Sequence, residues 1–334
     1  ETSVLTGGET NYLGGNVLAV DLNLDGRDDY ITFMESADEG RGALQINLTP
    51  PERTDPNVHI DFDFTATIPG GSAFKLVNTE ASFRGFGSSM TKMDVNGDSH
   101  LDLVVGAPGD TRNGIESGAV FVLFADADRY DDINTYFGAP AGPGNILDVA
   151  MGDFTGDGWG YGIYGRMPQE RFGEVVEDFG PDPEGNGGRL AVATGSTSGT
   201  NSVFIFAPSI HQMGGGAENL DLVDLPPIDI AVIENIAGVP TAMVNIGVDV
   251  FDPAGAFPFL PDLSTETPDD YLVNTDFASD PFGSLAIFSR DSNVFGSNDP
   301  DLQGGGHIIH GALVDFGTSV DISGLGAGEV GIID

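Results

Sequence analysis

Short apolar runs separated by loops rich in Gly, Asp, Asn and Pro recur along the whole chain. Asp29-Tyr-Ile-Thr-Phe, Asp102-Leu-Val-Val-Gly, Arg189-Leu-Ala-Val-Ala-Thr-Gly, Asp270-Tyr-Leu-Val-Asn and Glu329-Val-Gly-Ile-Ile begin 73, 87, 81 and 59 residues apart. A second run follows each of the first four: Gly42-Ala-Leu-Gln-Ile, Gly118-Ala-Val-Phe-Val, Ser202-Val-Phe-Ile-Phe and Ser284-Leu-Ala-Ile-Phe. The runs are β-branched or aromatic and bounded by turn residues, which predicts strands. Stretches free of Gly and Pro that are long enough for a helix of ordinary length are scarce among 49 Gly and 20 Pro. Phe74-Lys-Leu-Val, Tyr161-Gly-Ile-Tyr and Ile228-Asp-Ile-Ala-Val-Ile supply candidate outer strands. Repetition at this spacing predicts an all-β fold of four-stranded units.

The best-formed unit lies at residues 86–124. It opens with Phe86-Gly87, passes through the acidic loop Asp94-Val-Asn96-Gly-Asp98, and continues into Gly106-Ala107-Pro108. Phe-Gly openers stand also at Phe172-Gly173 and Phe316-Gly317. This stretch resembles the FG-GAP repeat of integrin alpha-chain propellers and of many secreted bacterial or archaeal proteins. The resemblance implies a single β-propeller of about five FG-GAP-like four-stranded blades. The units would fall near residues 15–72, 73–140, 141–225, 226–305 and 306–334. The fifth is incomplete, supplying Ser319-Val-Asp-Ile and Val330-Gly-Ile-Ile. Residues 1–14, with Thr2-Ser-Val-Leu-Thr, are the candidate closing strand; the alternatives are an open edge or a longer native protein.

Two loops share one register. Asp21, Asn23, Asp25 and Asp29 stand at positions 1, 3, 5 and 9 of the first, with the Arg27 carbonyl at position 7. Asp94, Asn96, Asp98 and Asp102 repeat the pattern in the second, with the His100 carbonyl. Hard cations want six to eight oxygen ligands, which such loops supply without Cys or His. The resemblance implies Ca2+ at both. Position 12 is Thr32 or Val105, inside a strand, where an EF-hand would need Glu. Ordinary Asp/Asn turns are the alternative. Asp153-Phe-Thr155-Gly-Asp157-Gly158 imitates a third loop but has Tyr161 at position 9. Between Asp178 and Arg189 the final carboxylate is replaced by Arg189, so an internal ion pair competes with a cation at Asp182 or Glu184. Asp249, Asp252 and Asp270, and Asp321, Ser323 and Glu329, are degenerate candidates.

Charge narrows the partners. Fifty-two acidic residues face 12 basic ones, a formal net charge of −40. This charge argues against nucleic acid and anionic membrane as partners, since either would repel it. A hydrated surface adapted to salt, cation binding in specific loops, and a basic partner each account for the excess. The first two together suggest a saline or marine extracellular setting. The absence of Cys removes disulfides and thiolate metal sites, leaving packing and cations to stabilise the fold. An N-terminus at Glu1 suits a mature chain after signal cleavage, and equally an excised fragment. No apolar run is long enough to span a bilayer.

Catalytic constellations are missing from the pattern. There is no Cys, no G-x-S-x-G elbow, and only five His. His307 and His310 are three apart in a strand-like run and so alternate in face. No pair can be singled out among the carboxylates for glycoside chemistry. Gly214-Gly-Gly and Gly304-Gly-Gly lack the Lys-Ser/Thr of a phosphate loop and read as flexible turns. The expectation is an extracellular, calcium-binding, non-catalytic propeller for adhesion or recognition of a protein or glycan at the cell surface. The alternatives are a self-associating subunit of a surface filament or layer built by strand addition, and a polysaccharide-active lyase or hydrolase on a propeller scaffold.

Overall fold

The computed structural model describes residues 13–35, 37–48, 72–81, 85–131, 133–137, 145–181, 187–196, 199–208, 219–225, 230–236, 239–246, 284–290, 304–310 and 319–321. Three of its sheets have one plan. The first contains β1 (Leu13–Val20), β2 (Asp29–Met34), β3 (Ala43–Leu48) and β4 (Ser72–Val77) as an antiparallel meander. The second repeats it with β5 (Met90–Met93), β6 (Asp102–Ala107), β7 (Ala119–Leu123) and, after a short helical segment and the strand β8 (Ile146–Asp148), β9 (Gly160–Tyr164). The third uses β10 (Val175–Pro181), β11 (Gly188–Ala193), β12 (Asn201–Phe206) and, after β13 (Leu220–Asp221), β14 (Ile230–Ile236). The fourth pairs β15 (Val239–Ile246), β16 (Ser284–Arg290) and β17 (Gly304–His310) antiparallel.

Each of the first three sheets gains a fifth, parallel strand from further along the chain. β8 lies along β4, β13 along β9, and β18 (Ser319–Asp321) along β14. The donated segments read Leu-Asp-Val, Leu-Asp-Leu and Val-Asp-Ile around Asp148, Asp221 and Asp321. Each Asp is held from the sheet it joins or that sheet's loops. Asp148 accepts from the Thr79 amide and hydroxyl, Asp221 from the Asn113 side chain at 2.7 Å, and Asp321 from the Asn235 side chain at 2.8 Å.

The sheets pack face to face in sequence. Along β6, Leu103, Val105 and Ala107 join a core shared with the first sheet, while Val104 joins the core shared with the third. Likewise β7 turns Phe121 and Leu123 one way, Val120 and Val122 the other. Both faces of these strands are covered, which is why their sequences are apolar throughout rather than alternating. A further cluster joins the third sheet to the fourth through Met243 and Ile287. Each fully buried Leu, Val or Phe contributes about 1.5–3 kcal/mol to such cores.

The Phe-Gly openers are the wedges between sheets. Phe86 is fully buried and meets the Phe121 ring edge-on, with centroids 6.0 Å apart. Phe172 meets Phe204 in the same way at 5.8 Å. Gly118, at φ +84°, approaches the backbone of Phe172 so closely that a Cβ would stand 2.2 Å from its carbonyl oxygen. Gly42 does the same against Phe86, at 2.7 Å. Phe316-Gly317 and the residues 1–12 of the candidate closing strand lie outside the described residues, whereas Leu13 and Gly14 belong to β1.

Three expectations are corrected. Ser319–Asp321, expected within an incomplete fifth unit, is the parallel edge strand of the third sheet, because β14 offers it the same edge that β4 and β9 offer β8 and β13. Gly304-Gly-Gly is not a flexible turn. It opens β17, where pairing with Arg290, Ser289 and Phe288 satisfies the backbone despite the missing side chains. The outer strand of each sheet also lies at or beyond the start of the next sequence-delimited unit, as β4 shows at Ser72–Val77. Gly214-Gly-Gly, Asp270-Tyr-Leu-Val-Asn and Glu329-Val-Gly-Ile-Ile lie outside the described residues.

Candidate cation loops

The first loop joins β1 to β2 and the second joins β5 to β6, the same connection in successive sheets. Their internal hydrogen bonds share a common set, to which the second loop adds Gly97 N to Asp94 Oδ1 at 2.7 Å and Asn96 Nδ2 to Asp98 Oδ2 at 2.9 Å. The amide at position 5 donates to the side chains at positions 1 and 3. Asp25 N reaches Asp21 Oδ1 and Asn23 Oδ1, both at 3.1 Å; Asp98 N reaches Asp94 Oδ1 at 3.1 Å and Asn96 Oδ1 at 3.0 Å. The amide at position 6 donates to the other oxygen of position 1, from Gly26 at 2.8 Å and from Ser99 at 2.9 Å. The amide at position 7 donates to position 5, from Arg27 at 2.9 Å and His100 at 2.8 Å. Position 9 carries a fully buried carboxylate that accepts from position 2: Leu22 N to Asp29 at 3.0 Å, Val95 N to Asp102 at 3.1 Å.

The backbones agree too. Positions 4 and 6 are left-handed in both loops, at Leu24 (φ 57°) and Gly26 (φ 86°), and at Gly97 (φ 80°) and Ser99 (φ 71°). Each loop places glycine at one of the two positions, and not at the same one. A left-handed non-glycine residue costs about 1–2 kcal/mol. The shared curl is thus held by the Asp and Asn oxygens and not by glycine alone.

Every oxygen that the pattern nominates is therefore on one short curl per loop, and the donors are all oxygen. That chemistry suits a hard cation. The oxygens at positions 1 and 3 already converge on a single N–H. Among the described residues, no three Asp, Glu or His side chains stand together as a preformed metal cluster. The loop oxygens satisfy backbone amides instead.

Asp102 is the most perturbed group of the second loop. Burial pushes its carboxyl up to about 7, against the amides of Ala125 and Val95, which favour the ionised form; the nearby Asp98 and Asp94 charges push it further up. Asp110, buried on the inter-sheet turn, is raised by burial and opposed by the Arg112 amide and the Asn78 side chain.

The remaining candidates do not form this arrangement. Asp153 to Gly156 lies in the short helix Gly152–Gly156, so the segment is a helical turn before β9 and not a ligand loop. In the third sheet Asp178 is not a loop residue: it lies in β10 opposite Leu190, the register held by Lys92 opposite Leu103 in the second sheet. Arg189, at the position of Asp102, is buried with its guanidinium 4.6 Å above the Phe179 ring. Burial raises the Asp178 carboxyl, while the Gly180 amide and the Arg189 charge lower it. Asp182, Glu184, Asp249, Asp252, Asp270, Ser323 and Glu329 lie outside the described residues. His307 and His310 both lie in β17.

Sequence reasoning missed two features at this end of the molecule. One is Ala125, whose amide donates to Asp102 Oδ1 at 2.9 Å. Backbone donors have no sequence signature, but the absence of Pro at 125, against Pro208 in the corresponding register, was a readable trace. The other is the trio of donated Asp strands, whose short common pattern was visible only as scattered apolar-Asp-apolar triplets.

The geometry defines an all-β chain of repeated antiparallel sheets with two matching acidic loops, and comparison with known proteins finds one repeat family: the family model of the FG-GAP repeat matches residues 86–123. Integrin alpha pat-2 of Caenorhabditis elegans is 31% identical over 140 residues, covering 40% of this chain and 11% of that protein. Integrin alpha pat-2 of Caenorhabditis briggsae is 26% identical over 210 residues, covering 62% of this chain and 15% of that protein. The chain is thus similar to the FG-GAP repeat at residues 86–123 and to integrin alpha over part of its length, and it spans only a small part of the length of these relatives.

Proposed function

We propose that this chain is a calcium-stabilised, non-catalytic propeller-type module that serves adhesion or protein or glycan recognition at the cell surface. The observation that carries this reading is the pair of loops with one ligand register, a shared set of hydrogen bonds and one backbone curl. Asp21, Asn23, Asp25, the Arg27 carbonyl and Asp29 would hold one Ca2+. Asp94, Asn96, Asp98, the His100 carbonyl and Asp102 would hold the other. A bound divalent ion supplies positive charge where each loop concentrates carboxylates. The likeness to integrin alpha chains supports an adhesive role, and the net charge of −40 favours a setting rich in cations.

Ligand that binds only the folded state raises stability by RT ln(1 + [L]/Kd), about 2.7 kcal/mol at a hundredfold excess over Kd. Calorimetric melting of the full chain is expected to show a higher Tm in millimolar calcium than in EGTA. An unchanged Tm after thorough chelation overturns the calcium reading.

A further inference from the structure

The two loops are joined by one residue of backbone. Ala125 donates its amide to Asp102 Oδ1 at 2.9 Å, at position 9 of the second loop. The next amide, of Asp126, donates to the Leu22 carbonyl at 2.9 Å, and the Leu22 amide donates to Asp29 Oδ2 at 3.0 Å, at position 9 of the first. An unbroken chain of hydrogen bonds and peptide units thus runs from one buried carboxylate to the other, across the junction of two sheets. Leu22, Ala125, Asp29 and Asp102 are buried and Asp126 is half-buried, so the two carboxylate ends of this chain are shielded from water. Two flanking contacts brace the same junction. Lys92 Nζ donates to the Ala19 carbonyl at 2.8 Å, and Tyr130, buried beside both carboxylates, donates its hydroxyl to the Phe124 carbonyl at 3.3 Å.

We propose that the Asp29 and Asp102 loops form one coupled unit in which ordering either loop through Leu22, Ala125 and Asp126 favours the other, so that two cations bind with positive cooperativity. The physical ground is shared ordering. Fixing Asp102 fixes Ala125, the following amide then holds Leu22, and Leu22 positions Asp29; the second cation meets a loop already arranged. Coupling of this kind is reciprocal: each site gains the same factor from the other. The cation part of this inference rests on the calcium reading above, while the mechanical link does not.

The experiment has two arms on the full chain. Calcium titration calorimetry compares the wild type with Asp25→Asn and Asp98→Asn, each of which weakens one loop at an exposed residue. The expected result is that the surviving site of each variant binds about fivefold more weakly than in the doubly loaded wild type, by the same factor in both directions. Surviving sites with unaltered affinity overturn the coupling while leaving calcium binding intact. The second arm measures amide hydrogen exchange in EGTA. Asp29→Asn is expected to speed exchange at Val95 in the neighbouring loop and at Ala125 beyond β7, and Asp25→Asn does the same to a smaller extent if Asp29→Asn fails to fold. Exchange at Val95 and Ala125 that ignores the first loop overturns the link, and this arm decides it even where the wild type takes up no calcium.

Discussion

The second and third sheets are built on one plan, yet at equivalent positions they solve the same problem in opposite ways. In the second, the carboxylate of Asp102 opens the second strand and accepts the amides of Val95 and Ala125. In the third, the register Leu190 opposite Phe206 matches Leu103 opposite Leu123, so Arg189 stands for Asp102 and Pro208 for Ala125. Acceptor and donor are lost together: Pro208, with no amide hydrogen, takes the place of Ala125, and Arg189, with no acceptor oxygen on its side chain, takes the place of Asp102. The flanking strand follows suit, with Asp178 in the register of Lys92. The lesson is that a buried charge at this corner is fixed by the fold, while its sign is not. A carboxylate asks for amides and suits a cation; a guanidinium settles over Phe179 and brings its own positive charge.

The largest expected effect on this contrast comes from pH. Asp102 binds its proton more tightly in the folded chain, at about 7, than in the unfolded chain, near the ordinary carboxylate value. Between those values the native state holds more protons, so stability falls as pH rises from about 4 to about 7. In EGTA the total fall attributable to this residue is at most about 4 kcal/mol. Urea unfolding across that window checks it, and Asp102→Asn should flatten the curve. In the third sheet Arg189 does not titrate, and Arg189→Gln should steepen the profile by releasing Asp178 to rise further. A profile that Asp102→Asn leaves unaltered breaks the contrast.

Next in size is Asp102→Ala at about pH 5, where burial keeps the folded carboxyl largely neutral and its ionisation costs least. Two buried amides lose their acceptor, at about 1–3 kcal/mol, the deletion leaves a cavity as well, and the loss is present with or without calcium. Chemical denaturation in EGTA measures it. The matching change in the third sheet, Pro208→Ala, adds an amide with no carboxylate to meet and should recover no stability. A gain from Pro208→Ala comparable to the loss from Asp102→Ala would mean the two corners are not equivalent.

How far this contrast was readable in sequence depends on where the information sits. The strands were legible because both faces are buried and their runs are continuously apolar, as in Asp102-Leu-Val-Val-Gly. The loop registers were legible because alternate oxygen-bearing residues leave a period. Arg189 was visible as a departure at position 9. The role of Asp178 was not, because one residue of register decides whether it opens a loop or sits within a strand, and sequence does not fix register there. Ser319–Asp321 was misplaced for a related reason: parallel pairing across a long separation leaves no local mark. Gly304-Gly-Gly was misread because a glycine run signals a turn locally, and only a partner strand overrides it.

A smaller effect separates the loops by their response to calcium. Asp98→Ala removes a position-5 oxygen that also accepts the His100 amide at 2.8 Å. The expected loss is about 1–3 kcal/mol in millimolar calcium and little in EGTA, where two exposed turn bonds go, from the His100 amide and from Asn96 Nδ2. Asp178→Ala in the third sheet should cost the same amount in both buffers. Paired melting curves of the two variants distinguish them, and equal, calcium-independent effects would reduce the second loop to an acidic turn.

The smallest effect concerns the backbone curl itself. Ser99 is exposed and left-handed at φ 71°, a position glycine occupies in the first loop as Gly26. Ser99→Gly relieves about 1 kcal/mol of strain and gives back part of it through the greater freedom of the unfolded chain. A net gain of about 0.5 kcal/mol is expected. Its value lies in the comparison between buffers. If the curl stands before any cation arrives, the gain is the same in EGTA and in calcium, since the strain relieved is present in both. A gain confined to calcium would show that the left-handed geometry forms only on binding.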